Sequence, residues 1–180
     1  EVEKNTFGIG IVKKTKSALV TVFVKVFPLW VLSIPVILIF YGFHHFFNAP
    51  IPAHPMNFIG ISALFIVSAT LLGTVISALI PNALKATQIL MLMSAPGFII
   101  GGYTWPTFAM AKPIQLLADI LPLTPFVNAF KLLLMEGASV HQVQPYLLQL
   151  ALQIACYSVL SLLLVKWRIK KEEKALLVKN

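Results

Sequence analysis

Four long stretches without a charged residue run along the chain, separated by polar, Pro-rich or charged positions. They cover residues 26–43, 56–80, 86–111 and 143–165. An α-helix needs about 20 apolar residues to cross a hydrocarbon core of about 30 Å, and its internal hydrogen bonds satisfy the backbone in lipid. The pattern therefore predicts four membrane-spanning helices. Their expected bounds are about 22–43, 56–80, 85–103 and 144–166.

The segment 104–142 is too long for a simple connection between spans and too apolar to lie free in water. Four prolines interrupt it: Pro106, Pro113, Pro122 and Pro125. The residues between them have the pattern of two short amphipathic helices, at 114–121 and 126–135. We therefore predict an all-α, polytopic membrane fold with four spans and an outer, Pro-broken, re-entrant helical hairpin over 106–136.

Two details of this region follow from side-chain character. The third span is expected to end near Gly102, with Tyr103 and Trp105 at the membrane interface, where aromatic side chains collect. In the second short helix, Phe126, Phe130 and Leu133 are expected to share one face, with Asn128 and Lys131 off it.

Positive charge is distributed unevenly, which predicts the orientation. Of the 14 Lys and Arg residues, only Lys112 and Lys131 fall in the segment 104–142, and the loop 44–55 has none. The others lie in the N-terminal arm, at the start of the first span, beside Pro81 or in the tail. Because Lys and Arg collect on the cytoplasmic side, both termini are predicted to be cytoplasmic, in an inner membrane.

Three regions follow from these spans. They are a cytoplasmic amphipathic arm at 1–17, a transmembrane domain at 18–166 and a basic cytoplasmic tail at 167–180. The arm carries Lys13, Lys14 and Lys16 ahead of an apolar run, which is typical of a helix lying on the membrane surface. The chain begins at Glu1 with polar residues and no Met, so we expect a further segment to precede it.

Composition agrees with a membrane protein. Hydrophobic residues make up 58% and charged residues 11%, whereas soluble domains carry roughly 25% charged residues. Mean hydropathy is +0.88. These values exclude a soluble globular protein, so the net charge of +8 reflects membrane topology and does not indicate nucleic-acid binding. Cys156 is the single cysteine, so no intrachain disulfide can form, and we interpret it as a packing residue.

The sequence carries little chemistry of its own. It has no G-x-x-x-x-G-K-[ST] phosphate loop, and none of its acidic residues lies inside a predicted span. An ion-coupled carrier usually needs such a carboxylate, so this class is disfavoured. His44, His45 and His54 lie near one another, but no Cys or acid joins them. We expect no enzyme activity and no metal or cofactor site in this chain.

Small and polar residues inside the spans leave two interpretations open. Ala69, Gly73 and Ser77 are spaced by four, and Gly97 and Gly101 form a G-x-x-x-G. Such faces let helices approach closely, either in packing within one subunit or at a subunit interface or a moving gate.

Four polar residues of the second and fourth spans pose a similar choice. They are Thr70, Thr74, Gln149 and Gln153. They either line a pathway or form hydrogen bonds between helices.

The order of residues from 96 to 137 carries a family resemblance. It runs Pro96, Gly101 or Gly102, Trp105-Pro106, Pro113-Ile114-Gln115, Pro122-Leu123-Thr124, Lys131 and Gly137. Upstream, the further matching positions are Lys25, Pro28, Gly73, Ser77, Pro81, Ala86 and Gln88. This order resembles type-2 ABC exporter permeases over nearly the whole chain from about Thr6. The chain departs from the family's pattern at Val24, a usual glycine, at Asn5-Thr6, which lacks a following Glu, and at Lys131, a usual arginine.

The resemblance implies a function and a set of partners. Such permeases have six spans, of which this chain would hold the last four. Two permease subunits, identical or different, form the substrate path, and separate P-loop ATPase subunits bind ATP and Mg²⁺ and drive export. The alternative is a non-transporting membrane scaffold or assembly protein. An ATPase reading frame beside the gene would separate the two.

The resemblance also implies two sets of functional residues. The arm would be the coupling helix that contacts the ATPase, through Thr6, Lys13, Lys14 and Lys16. The hairpin would be the outer gate, through Trp105, Pro106, Pro113, Gln115, Pro122 and Thr124.

Overall fold

The computed structural model describes residues 17–47, 55–80, 82–135 and 138–177, and in these ranges it contains no β-strand. The helices there are α1 (Ala18–Phe46), α2 (Pro55–Leu79), α3 (Ala83–Ile100), α4 (Lys112–Ile120), α5 (Leu123–Met135) and α6 (Val140–Leu177). A short 3-10 turn, Thr107–Ala109, precedes α4. The predicted all-α membrane class is confirmed.

Three of the helices are long and apolar enough to cross a membrane. The spans are Ala18–Phe43 in α1, Met56–Leu79 in α2 and His141–Lys171 in α6. The pair Lys112–Ile120 and Leu123–Leu133 also has the required length and character when taken together, but it is bent by 89°. The predicted span 85–103 corresponds to α3, whose 18 residues extend about 27 Å. It is therefore shorter than the three spanning helices and, among the described residues, is not itself long enough to count as a fourth.

The ends of α3 follow from two sequence signals. At its start, the Asn82 Oδ1 accepts hydrogen bonds from Leu84 N at 2.9 Å and Lys85 N at 3.3 Å, which is the usual role of an N-cap asparagine. At its end, Gly101 and Gly102 follow directly, and Gly102 has φ +87°. Because only glycine adopts this conformation readily, the helix stops at Ile100.

The helices α2 and α6 form the centre of the bundle and contact each other more extensively than any other pair. At the end where α1 begins and α6 finishes (the terminal end), a core joins α1, α2 and α6. Its buried members are Val22, Val26, Leu71, Val75, Ala78, Tyr157 and Val165. At the opposite end (the hairpin end), a second core joins α2, α5 and α6 through Ile61, Ala129, Leu133 and Val143.

The outer surface of the bundle is apolar. Only 11% of the most apolar stretch of α1 is buried, compared with 33% for α2, so α1 lies at the periphery. Its exposed side chains include Phe23, Leu32, Ile34 and Leu38. An apolar surface of this size would drive association in water but is well solvated by lipid tails.

Candidate functional site

The bent pair α4–α5 is the feature that departs most from a simple bundle, and α3, α2 and α6 each contact it. In the contact with α3, the Lys131 ammonium of α5 donates hydrogen bonds to Gly102 O at 2.6 Å and to Tyr103 O at 3.3 Å. These carbonyls follow the last turn of α3. A cation is favourable at this end because the helix dipole is negative there.

The glycines that end α3 allow the hairpin to approach closely. An added Cβ at Gly101 would lie 2.7 Å from Leu123 Cδ2, and one at Gly97 would lie 3.9 Å from Leu121 Cδ1. The structure therefore places this G-x-x-x-G pair against the turn between α4 and α5. By contrast, an added Cβ at Gly73 would meet nothing within 4 Å among the described residues.

We expect Gly102→Ala to destabilise the protein by about 1–2 kcal/mol, because a side chain disfavours positive φ and the new Cβ would lie 3.0 Å from Thr107 Cγ2. Gly60→Ala is the matched control, since the same addition inside α2 meets nothing within 4 Å in the described ranges. It should be neutral or stabilising. Thermal unfolding in mild detergent measures both, and equal melting temperatures would contradict the expectation.

The connection into α4 holds four of the residues assigned to the outer gate. Trp105 and Pro106 are exposed, and Pro113 is in the first turn of α4, a position where its missing N–H costs nothing. The Gln115 amide donates to Met110 O at 2.8 Å and to Phe108 O at 3.5 Å. Gln115 thereby ties α4 to the turn that precedes it.

The other two residues assigned to the outer gate, Pro122 and Thr124, lie at the turn between α4 and α5. Pro122 is buried and lies between the two helices, where its ring interrupts the helical hydrogen bonds. The Thr124 hydroxyl is buried and donates to Ala118 O at 2.6 Å. This bond stabilises the 89° bend from within the hairpin.

Aromatic side chains hold α5 against α2. The Phe126 ring stacks on Phe65 with centroids 4.4 Å apart, and Phe130 lies 5.6 Å from Phe58. Phe40 of α1 stacks on Phe58 at 5.8 Å. The prediction that Phe126 and Phe130 share one face is confirmed. Their partners on α1 and α2 were missed, because no short-range pattern marks them.

Polar side chains of α6 form hydrogen bonds to the end of α4, just before the turn into α5. Gln153 Nε2 donates to Asp119 O at 2.8 Å, Gln149 Nε2 donates to the same oxygen at 3.3 Å, and the Tyr157 hydroxyl donates to Ile120 O. For the two glutamines, the structure favours hydrogen bonding between helices over a pathway lining.

The two α2 threonines, Thr70 and Thr74, also form hydrogen bonds within the protein. Thr70 Oγ1 donates to Ile66 O at 2.7 Å and accepts from Trp30 Nε1 of α1 at 3.0 Å. Thr74 Oγ1 donates to Thr70 O at 2.9 Å.

At the terminal end, Arg168 Nη1 donates to Ser77 O at 3.2 Å, in the last turn of α2. Ala69, Gly73 and Ser77 are half-buried there. The residues assigned to coupling lie outside the described residues: Thr6, Lys13, Lys14 and Lys16. Within the described ranges, no group of three or more His, Cys, Asp or Glu residues is arranged to hold a metal ion.

Comparison with known proteins adds one positive finding. A family model described as "ABC-2 family transporter protein" matches residues 12–163. No curated protein and no solved structure gives a significant match.

Proposed function

The chain belongs to the ABC-2 transporter family, whose members are membrane permease components, and we propose that it forms the substrate path of an exporter powered by separate ATPase subunits. The single observation that carries the proposal is the family match over most of the chain, including the α4–α5 hairpin. The 180 residues contain no phosphate-binding loop. In this proposal, the separate ATPase subunits supply the energy for transport.

The hairpin is proposed as a re-entrant outer gate. Its turn contacts α6 at Gln153, which lies about 20 Å along the helix from Lys166. With Lys166 at one membrane face, a hydrocarbon core of about 30 Å extends past this level. The turn would then lie inside the core, about 10 Å from the opposite face. Irregular backbone at such a depth is tolerated when protein covers it, and the contacts from α6 supply that cover.

The orientation proposed for this permease follows from charge. The terminal end carries the exposed basic side chains Lys166, Lys170 and Lys171 together with Trp167, and Lys171 lies 5.1 Å from the Trp167 ring centroid. Basic and aromatic residues at one end of a span are typical of the cytoplasmic interface. Both termini would then face the cytoplasm of an inner membrane, where an ATPase can reach residues 1–17. A second permease subunit, identical or different, would complete the path.

The proposal is tested by recovering the full-length protein from native membranes in mild detergent. A P-loop ATPase should co-purify in near-equal amounts, and its hydrolysis should depend on the permease. If no ATPase is present under conditions that keep other such complexes intact, the chain is instead a membrane scaffold that shares the family's fold.

We expect Lys13→Glu combined with Lys14→Glu to uncouple the complex. The charge reversal would weaken the contact between the arm and the ATPase, so substrate-dependent hydrolysis should fall several-fold while basal hydrolysis persists. Lys170→Glu with Lys171→Glu is the matched control, because it makes the same charge change in the tail. Unchanged coupling at normal expression would refute the role of the arm.

A further inference from the structure

Three side chains of α6 converge on two consecutive carbonyl groups at the end of α4. Gln149, Gln153 and Tyr157 are spaced by four residues and so lie on one face of the helix. They donate to Asp119 O and Ile120 O. Gln153 and Tyr157 are buried, with 8% and 7% of their surface exposed. Burial of these two side chains limits the access of water to their hydrogen bonds, whereas Gln149 is only half-buried.

The hydrogen bonds around the turn fall into two groups. Ala118 O accepts from Leu121 N at 2.9 Å and from Thr124 Oγ1 at 2.6 Å, and both donors belong to the hairpin itself. The next two carbonyls, those of Asp119 and Ile120, accept from α6. The first group therefore preserves the shape of the hairpin wherever it lies, whereas the second exists only while the hairpin is seated against α6.

Losing the donors on α6 would be energetically costly for the carbonyls of the second group. The last carbonyls of a helix have no N–H donor within the helix. Leaving such a backbone group without a hydrogen bond in an apolar environment costs several kcal/mol of free energy. If the hairpin leaves α6, these two oxygens must be hydrated. Seating is therefore stable in a dry membrane interior, and its loss requires water to reach the turn.

The α2 helix sets the orientation of the central glutamine. Ser68 Oγ donates to Gln153 Oε1 at 3.5 Å, and Ser68 is completely buried. The shorter bond from Gln153 Nε2 to Asp119 O, at 2.8 Å, places the amide nitrogen on the hairpin side and the amide oxygen on the side of Ser68. Ser68 thus acts through Gln153, and the contact links the hairpin to both central helices.

We propose that Gln149, Gln153 and Tyr157 are positioning residues that hold the hairpin in its seated state and must be released for it to open. The inference rests on the proposed function only in taking the hairpin as the part that moves. The binding partner is the hairpin of the same chain, and opening exchanges three side-chain hydrogen bonds for water.

The test measures how fast a membrane-impermeant thiol reagent reaches the turn, in membranes holding the full-length protein. The background carries Cys156→Ser, which removes an exposed thiol, and Asp119→Cys supplies the probe because its side chain is exposed while its carbonyl is retained. Gln153→Met and Tyr157→Phe should each raise the labelling rate, by about tenfold for Gln153→Met and somewhat less for Tyr157→Phe.

The controls make the same chemical changes on the same helix. They are Gln144→Met, at an exposed position, and Tyr146→Phe, whose hydroxyl has no hydrogen-bond partner among the described residues. Both should label at the parent rate. A second probe at Leu152→Cys, on the exposed face of α6, should label equally in all variants.

Two results would overturn the proposal. One is a labelling rate at position 119 that stays at the parent value in both Gln153→Met and Tyr157→Phe. The other is an equal rise in the controls or at position 152, which would show general loosening of the bundle. The assay needs neither an ATPase nor a substrate, so failure of the exporter proposal leaves its result unchanged.

Discussion

Cross-linking the hairpin to α3 should lower ATP-driven activity by at least about tenfold, the largest effect we expect from any change in this protein. The pair is Gly97→Cys with Leu121→Cys in a Cys156→Ser background. An added Cβ at Gly97 lies 3.9 Å from Leu121 Cδ1, so a short bifunctional thiol reagent with a cleavable disulfide in its linker can join the two cysteines. If the hairpin is the proposed gate, a cross-link that keeps it on α3 should stop the transport cycle.

The measurement is permease-dependent ATP hydrolysis by the reconstituted complex, before and after treatment with the bifunctional reagent. Each single cysteine variant, treated in the same way, controls for the substitutions themselves. Addition of a reductant should restore the activity of the double variant. Full activity in the cross-linked protein would show that the hairpin does not move relative to α3 during transport, and the gate assignment would then be wrong.

Lys131→Met should cause the second-largest loss. The substitution keeps most of the side-chain volume but removes the donor to Gly102 O and Tyr103 O, and hydrogen bonds to charged groups contribute about 1.5–3 kcal/mol each. We expect a fall of about tenfold in permease-dependent ATP hydrolysis, together with a lower melting temperature in detergent.

Two further variants show whether the loss of activity in Lys131→Met comes from the lost contact with α3 or from the change in net charge. Lys131→Arg retains a charged donor and should keep most of the activity, as the arginine usual at this position in similar permeases implies. Lys112→Met removes a charge from an exposed position at the start of α4 and should have little effect. If Lys112→Met and Lys131→Met behave alike, the loss comes from net charge and not from the contact with α3.

The arrangement of spans could be predicted because it depends on local composition. A stretch of about 20 apolar residues is long enough to cross the bilayer, so α1 and α2 were expected within four residues of their observed bounds. By contrast, α6 begins four residues before the predicted span 144–166 and ends eleven residues after it, at Leu177. The two short helices were also expected, since the prolines between 106 and 125 break the backbone locally. The end of α3 was placed two to three residues too late, because Gly102 takes positive φ and closes the helix at Ile100.

The contacts that make the candidate site could not be predicted in this way. The sequence left Gln149 and Gln153 open between a pathway and helix packing, and it singled out neither Ser68 nor the hydroxyl of Tyr157.

By itself, then, the sequence determined the all-α membrane class, the three long spans in α1, α2 and α6, the Pro-broken helix pair α4–α5 and the family. Each of these depends on short-range hydropathy, prolines or motif order. Only the tertiary structure decided which side chains hold the hairpin. Lys131 reaches Gly102 over 29 residues, Gln153 reaches Asp119 over 34 and Tyr157 reaches Ile120 over 37. Side chains so far apart in the sequence meet because α2, α5 and α6 share the apolar core at the hairpin end, and α2 and α6 also share the core at the terminal end with α1. The packing of these cores sets which polar group faces which carbonyl.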